Sequence, residues 1–123
     1  MTPSPRAAVL AIAAGRLGIG VGILAARRPT LRALGFGETD AAGRTLATLA
    51  GSRDVALGLL PLVLREDRRA LRAAAILAAA VDAGDALAFA AAARKPELRR
   101  AGIGGVLSGA AAALAGLWAW RRL

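Results

Sequence analysis

The chain contains no cysteine, no histidine and no tyrosine. Without cysteine there are no disulfides, no thiol chemistry and no thiolate ligands for zinc or iron–sulfur clusters. Without histidine there is no imidazole base and no histidine ligand for zinc or haem. Aromatic residues are 3% of the chain, two Trp and two Phe. An array of stacking rings, such as a single-strand nucleic-acid groove uses, therefore has no material. Acidic residues are scarce as well, eight against seventeen Lys and Arg. No metal site, no cofactor motif and no phosphate-cradling loop is expected: Gly18, Gly20 and Gly22 follow no strand signal and have no P-loop lysine.

What is present is aliphatic. Apolar residues make up 57% of 123 residues and mean hydropathy is +0.54, above the roughly 45–50% of soluble domains. The excess is Ala, Leu, Val and Ile, and an alanine-rich, strand-poor composition favours helix throughout. The length suits one domain.

A net charge of +9 and a pI near 11.9 are compatible with a nucleic-acid partner until the charges are placed. Fifteen of the seventeen cations bracket apolar runs, as in Arg27-Arg28, Arg65-Arg68-Arg69-Arg72, Arg94-Lys95-Arg99-Arg100 and Arg121-Arg122. That arrangement suits a bilayer with anionic headgroups and argues against nucleic acid.

Four runs are long enough to cross a membrane: about 7–26, 45–64, 71–93 and 101–120. Twenty helical residues span about 30 Å, the thickness of the hydrocarbon core. Residues 1–6 are expected to be a disordered lead, and 7–123 a single integral membrane domain. Arg16 interrupts the first run, so a retained span is expected rather than a cleaved signal peptide. The fold predicted is an all-α, four-transmembrane-helix antiparallel bundle, with a short interfacial segment over 29–34 between helices one and two. Asp67 is expected to cap the third span, and the tight connection before it predicts spans two and three as antiparallel neighbours. Trp118 and Trp120 with Arg121 and Arg122 are expected as interfacial anchors. With Arg72 counted in the connection before it, Lys and Arg divide eight to seven between the two sides, so charge bias assigns no orientation.

The soluble alternative, an Ala-rich bundle, conflicts with the fourth run. A helix apolar on every face belongs in lipid or at the centre of a much larger protein.

Five charges lie deep inside the runs, Arg16, Arg53, Asp54, Asp82 and Asp85, while Arg72 stands at the start of the third. Antiparallel helices bring them to similar depth, and Asp82 and Asp85, three apart, share a helix face. An isolated charge there costs at least about 2.5–3.5 kcal/mol, so pairing between helices is expected. Two Arg against three Asp leave one carboxylate in excess, to be met by a proton or a ligand cation. The network is expected either to hold helices in register or to face a pocket or ion path. Small-xxx-small pairs, Gly18/Gly22, Ala47/Gly51 and Gly105/Gly109, together with Gly58, mark candidate helix-packing faces.

The stretch GRLGIGVG around Arg16, the loop carrying Leu34-Gly35, the run Gly51-Ser52-Arg53-Asp54-x-x-x-Gly58 and the pair Asp82-x-x-Asp85 resemble a bacterial family of small four-span membrane proteins. That family is labelled a domain of unknown function and is similar in layout to the DoxX-like membrane proteins. The likeness covers about residues 7–120, and G-x-R-D is its most specific part. It implies the four-span fold and the bacterial inner membrane, with no assigned reaction. Members often carry a His in the last span; here none exists, and Ser108 is the nearest polar residue.

Three functional expectations follow. The chain is an accessory or structural membrane protein with a homo-oligomeric or membrane-subunit partner, a small proton- or cation-coupled transporter using Asp82 or Asp85, or a membrane subunit of a quinone-linked redox system. The last of these, a membrane enzyme or redox subunit, is the least supported, for want of His, Cys or Tyr.

Overall fold

The computed structural model describes residues 2–123. Three of the long helices start where a short polar side chain accepts the first free backbone N–H groups. The Ser4 hydroxyl accepts from Ala7 N, and Pro5 sets the first turn of α1, Pro5–Ala25. The helix thus begins two residues earlier than the apolar pattern alone suggests. Asp40 caps α3, Ala41–Val63, through Gly43 N. Asp67, as expected, caps α4, Arg68–Ala92, through Arg69 N and Ala70 N. A 3-10 turn, Pro96–Leu98, leads into α5, Arg99–Arg122.

Between α1 and α3 lies a short helix, α2, Arg27–Ala33, two residues upstream of its expected start. It folds back beside α1, with Thr30 against Gly22. Gly35, at φ +94°, ends it in a left-handed turn that side-chain-bearing residues rarely adopt. That turn rests on the first residues of α5: a Cβ on Gly35 would lie 3.0 Å from Ala101 N. Phe36 then packs at a tilt against Phe89 of α4, ring centroids 6.2 Å apart.

Among the described residues, four helices are long and apolar enough to cross a membrane: α1, α3, α4 and the segment Pro96–Arg122 containing α5. Their outward surfaces are aliphatic. Val63, Leu87 and Leu114 are each about two-thirds exposed or more. The interior is built from small residues: Ala13, Ala74, Ala75, Ala79, Ala101 and Ala119 are buried. In water this distribution would leave the largest apolar side chains solvated; in a bilayer they meet lipid and the small residues let helices pack closely. The all-α bundle expected from the sequence is the fold observed, and the chain is a multi-pass membrane protein.

The bundle is two tight antiparallel pairs. In α1/α3, Gly20 sits so close to α3 that a Cβ would be 2.7 Å from Gly51 O, and Gly58 would meet Ala13 O at 2.8 Å. In α4/α5, Gly102 faces Ala93, Gly105 faces the Phe89 ring, Gly109 faces Asp82 O and Ala86, and Gly116 faces Ala79. Gly102, Gly109 and Gly116 recur every seven residues, as do Gly51 and Gly58. This is the spacing that keeps one stripe against a neighbouring antiparallel helix. The α3/α4 pair, expected as neighbours from their short connection, is antiparallel but touches at few points. The glycine stripes draw each of these helices closer to another partner. Val9, Leu71, Ala75 and Ala119, with Trp120 and Leu123 against them, close the end where α1 and α4 begin and α5 finishes.

Candidate functional site

The five charged residues expected at mid-depth meet in one network. Arg16 is buried, its side chain 8% exposed. It donates through Nη1 to Asp54 Oδ1 on α3 at 3.1 Å, and through Nη2 to Asp82 Oδ1 on α4. Its position follows from its neighbours: Ala13 and Gly20 on the same face are buried against α3. Arg53 binds Asp85 with both arms, Nη1 to Oδ1 at 3.0 Å and Nη2 to Oδ2 at 2.8 Å. It also reaches Asp54 Oδ1 at 3.4 Å. The order Asp82–Arg16–Asp54–Arg53–Asp85 alternates in sign across α1, α3 and α4. The planar guanidinium fork suits it, because one arginine can serve two carboxylates or hold one bidentately.

α5 contributes no charge to the network. Its Gly109 lies 3.0 Å, by a Cβ, from the Asp82 carbonyl, so α5 closes behind Asp82 with backbone rather than side chain. Ser108, the one polar side chain in the middle of α5, is exposed and bonds back to Gly105 O at 3.3 Å.

The network has one excess carboxylate and, among the described residues, one buried side-chain atom without a partner. Asp82 Oδ2 is buried and has no hydrogen-bond partner among the described residues. Beside it is a cavity of about 10 Å³, lined by Arg16, Asp82, Ala13, Pro61 and Ala79 among others, large enough for no more than one water. Pro61 is accommodated within α3, buried against this cavity.

Burial is uneven along the network. Arg16 and Asp82 are enclosed, whereas the Arg53 side chain is 42% exposed and Asp85 is 27% exposed. The α3/α4 seam is where the network reaches the surface.

Of the glycines expected to pack helices, Gly51, Gly58, Gly105 and Gly109 lie in helix–helix contacts, and Gly22 meets Thr30 of α2. Gly18 does not: a Cβ there would meet nothing within 4 Å. It lines, with Gly15, an open groove between α1 and α2. Gly20, two residues on, is the true contact. Trp118 is exposed, while Trp120 packs inward, with the Arg72 guanidinium 5.1 Å above its ring. Arg121 and Arg122 are exposed in the last turn of α5, where cations complement the helix dipole.

Sequence reasoning missed Gly102 and Gly116, the Phe36–Phe89 contact and the Arg72–Trp120 stack. The seven-residue glycine repeat in α5 was a readable signal. The two aromatic contacts had none, since their partners are far apart in the chain. Compared with protein-family models, curated proteins and solved structures, the chain matches none of them.

Proposed function

We propose that this chain is a small accessory or structural protein of the bacterial cytoplasmic membrane, whose Arg/Asp network locks one helix pair to the other. The observation that carries this reading is the position of Arg16. It stands between Asp54 of its own pair and Asp82 of the other. The two pairs are otherwise joined by sparser α1/α5 and α3/α4 contacts. In a hydrocarbon environment apolar burial does not drive helices together, so interhelical hydrogen bonds and close packing carry more of the association. Breaking a buried ion pair by removing one member leaves an uncompensated charge, which disfavours any separation of the pairs. Basic residues at the loop ends, among them Arg28, Arg68 and Arg100, suit anionic headgroups.

The experiment is unfolding of the purified protein in detergent, wild type beside Asp82→Asn. A lock predicts a large loss of stability with the helices still formed. A variant that unfolds like wild type removes the proposal.

A second reading, a proton- or cation-coupled carrier, is favoured by Asp82 Oδ2. An excess carboxylate with a buried unpartnered oxygen beside a one-water cavity is a place for an exchangeable proton or small cation. For that reading Asp82→Asn stays folded and abolishes cation- or proton-driven fluxes in liposomes. The two readings therefore predict opposite results from one substitution.

A further inference from the structure

The lock leaves one part of the network unsatisfied. Arg53 and Asp85 stand in the middle of their helices, yet they open onto the outer surface between α3 and α4. Around them the surface is apolar: Leu49 is 62% exposed and Leu87 74%. Arg53 has five N–H groups, and its three hydrogen bonds, two to Asp85 and one to Asp54, leave two without an acceptor among the described residues. Lipid tails offer none. Snorkelling does not relieve the problem, because Arg53 is roughly 15–18 Å along the axis from either end of α3, farther than an arginine extends. Ionisable groups at this depth face protein or a water-filled cavity rather than lipid.

We propose that a second copy of this chain covers the α3/α4 seam, so that the network is completed in a twofold dimer. The charge pattern selects this occupant. Arg53 is on α3 and Asp85 on α4, side by side at one depth. Rotation by half a turn about the membrane normal keeps depth unchanged and sets α3 of one copy against α4 of the other. Arg53 then meets Asp85 of the second copy, and Asp85 meets its Arg53, giving a ring of four alternating charges. A patch with both signs at equal depth is self-complementary under this symmetry, which is what an isologous interface requires. A different subunit would have to supply the same pattern independently. Close approach is open to the backbone, because Ala56, Gly84 and Ala88 on these helices are exposed and a Cβ on Gly84 would meet nothing within 4 Å. This dimer goes beyond the lock within one copy and does not depend on it.

The chain has no native cysteine, which makes the test direct. Two full-length, differently tagged versions are reconstituted together in liposomes, one carrying Leu49→Cys and the other Ala88→Cys. These positions lie one turn from Arg53 and Asp85 toward the same end of the seam, and both are exposed. The expected result is a disulfide-linked mixed dimer in at least fivefold higher yield than from Leu107→Cys with Leu114→Cys on α5. Adding Arg53→Leu with Asp85→Leu to one version should reduce the seam yield to that of the α5 control. Photobleaching of labelled wild-type protein at high dilution in lipid should count two copies per particle. One copy per particle, seam yield no higher than control, linkage unaffected by the charge removal, or linkage through Gly15→Cys with Gly18→Cys on the α1/α2 groove instead, would each overturn the proposal.

Discussion

Arg16 of α1 and Asp82 of α4 are hydrogen-bonded across the bundle although their helices do not pack closely against each other. Each belongs to a different glycine-packed pair, and Asp54 holds Arg16 from the other side at 3.1 Å. The pair is the point at which two separately packed halves become one molecule.

Replacing Asp82 with Ala should therefore destabilise the bundle by about 3 kcal/mol, the scale of breaking a buried ion pair. The same change at Asp85, which is only partly buried, should cost about 1 kcal/mol in detergent micelles, where water reaches Arg53. Equilibrium unfolding followed by circular dichroism measures both. Equal losses at the two positions would contradict the assignment of Arg16–Asp82 as the central contact.

Arg16→Lys keeps the charge and loses the fork. One ammonium cannot reproduce two divergent N–H arms spanning α3 and α4. A loss of about 1–3 kcal/mol is expected, with the midpoint of thermal unfolding as readout. A lysine variant as stable as wild type would mean that charge alone suffices.

The glycines divide into two classes with opposite outcomes. Gly58→Val places atoms within 2.8–2.9 Å of Ala13 O and the Leu17 backbone and side chain, and overpacking of that kind costs about 1–3 kcal/mol. Gly18→Ala enters open space and should be neutral or stabilising by up to about 1 kcal/mol, the helix-propensity difference. Thermal unfolding of both variants checks the pairing of α1 with α3.

Much of this architecture was legible in the sequence because its signals are local. Run length, caps and loop chemistry are properties of neighbouring residues, so the four apolar runs, the Asp67 cap and the short segment between the first two spans were readable. The five network residues were legible for a related reason: a charge inside an apolar run is conspicuous wherever it pairs. Which helices pair was not. A short connection between α3 and α4 suggested neighbours, while the glycine stripes, a tertiary property of two faces, joined α1 to α3 and α4 to α5. The choice of Gly18 over Gly20 failed similarly, since a small residue two positions along points to another face and only the partner helix distinguishes them. The uneven exposure of Arg53 and Arg16 also depends on packing and has no local signature.

The exposed ion pair Arg6–Glu66, at 2.9 Å with Glu66 77% exposed, should contribute little, as flexible surface pairs do. Glu66→Gln is expected to change stability by less than about 0.5 kcal/mol. A loss comparable to that of Asp82→Ala would mean that the loops, and not the mid-depth network, hold the halves together.

The most direct test of the central claim is a double-mutant cycle between Arg16→Met and Asp82→Leu, read by equilibrium unfolding in detergent. If the two side chains join the halves, the double variant loses much less than the singles combined, with a coupling of about 1–3 kcal/mol. Losses that add within about 0.5 kcal/mol would mean that the two residues act independently, and that the bundle is held by its glycine-packed faces alone.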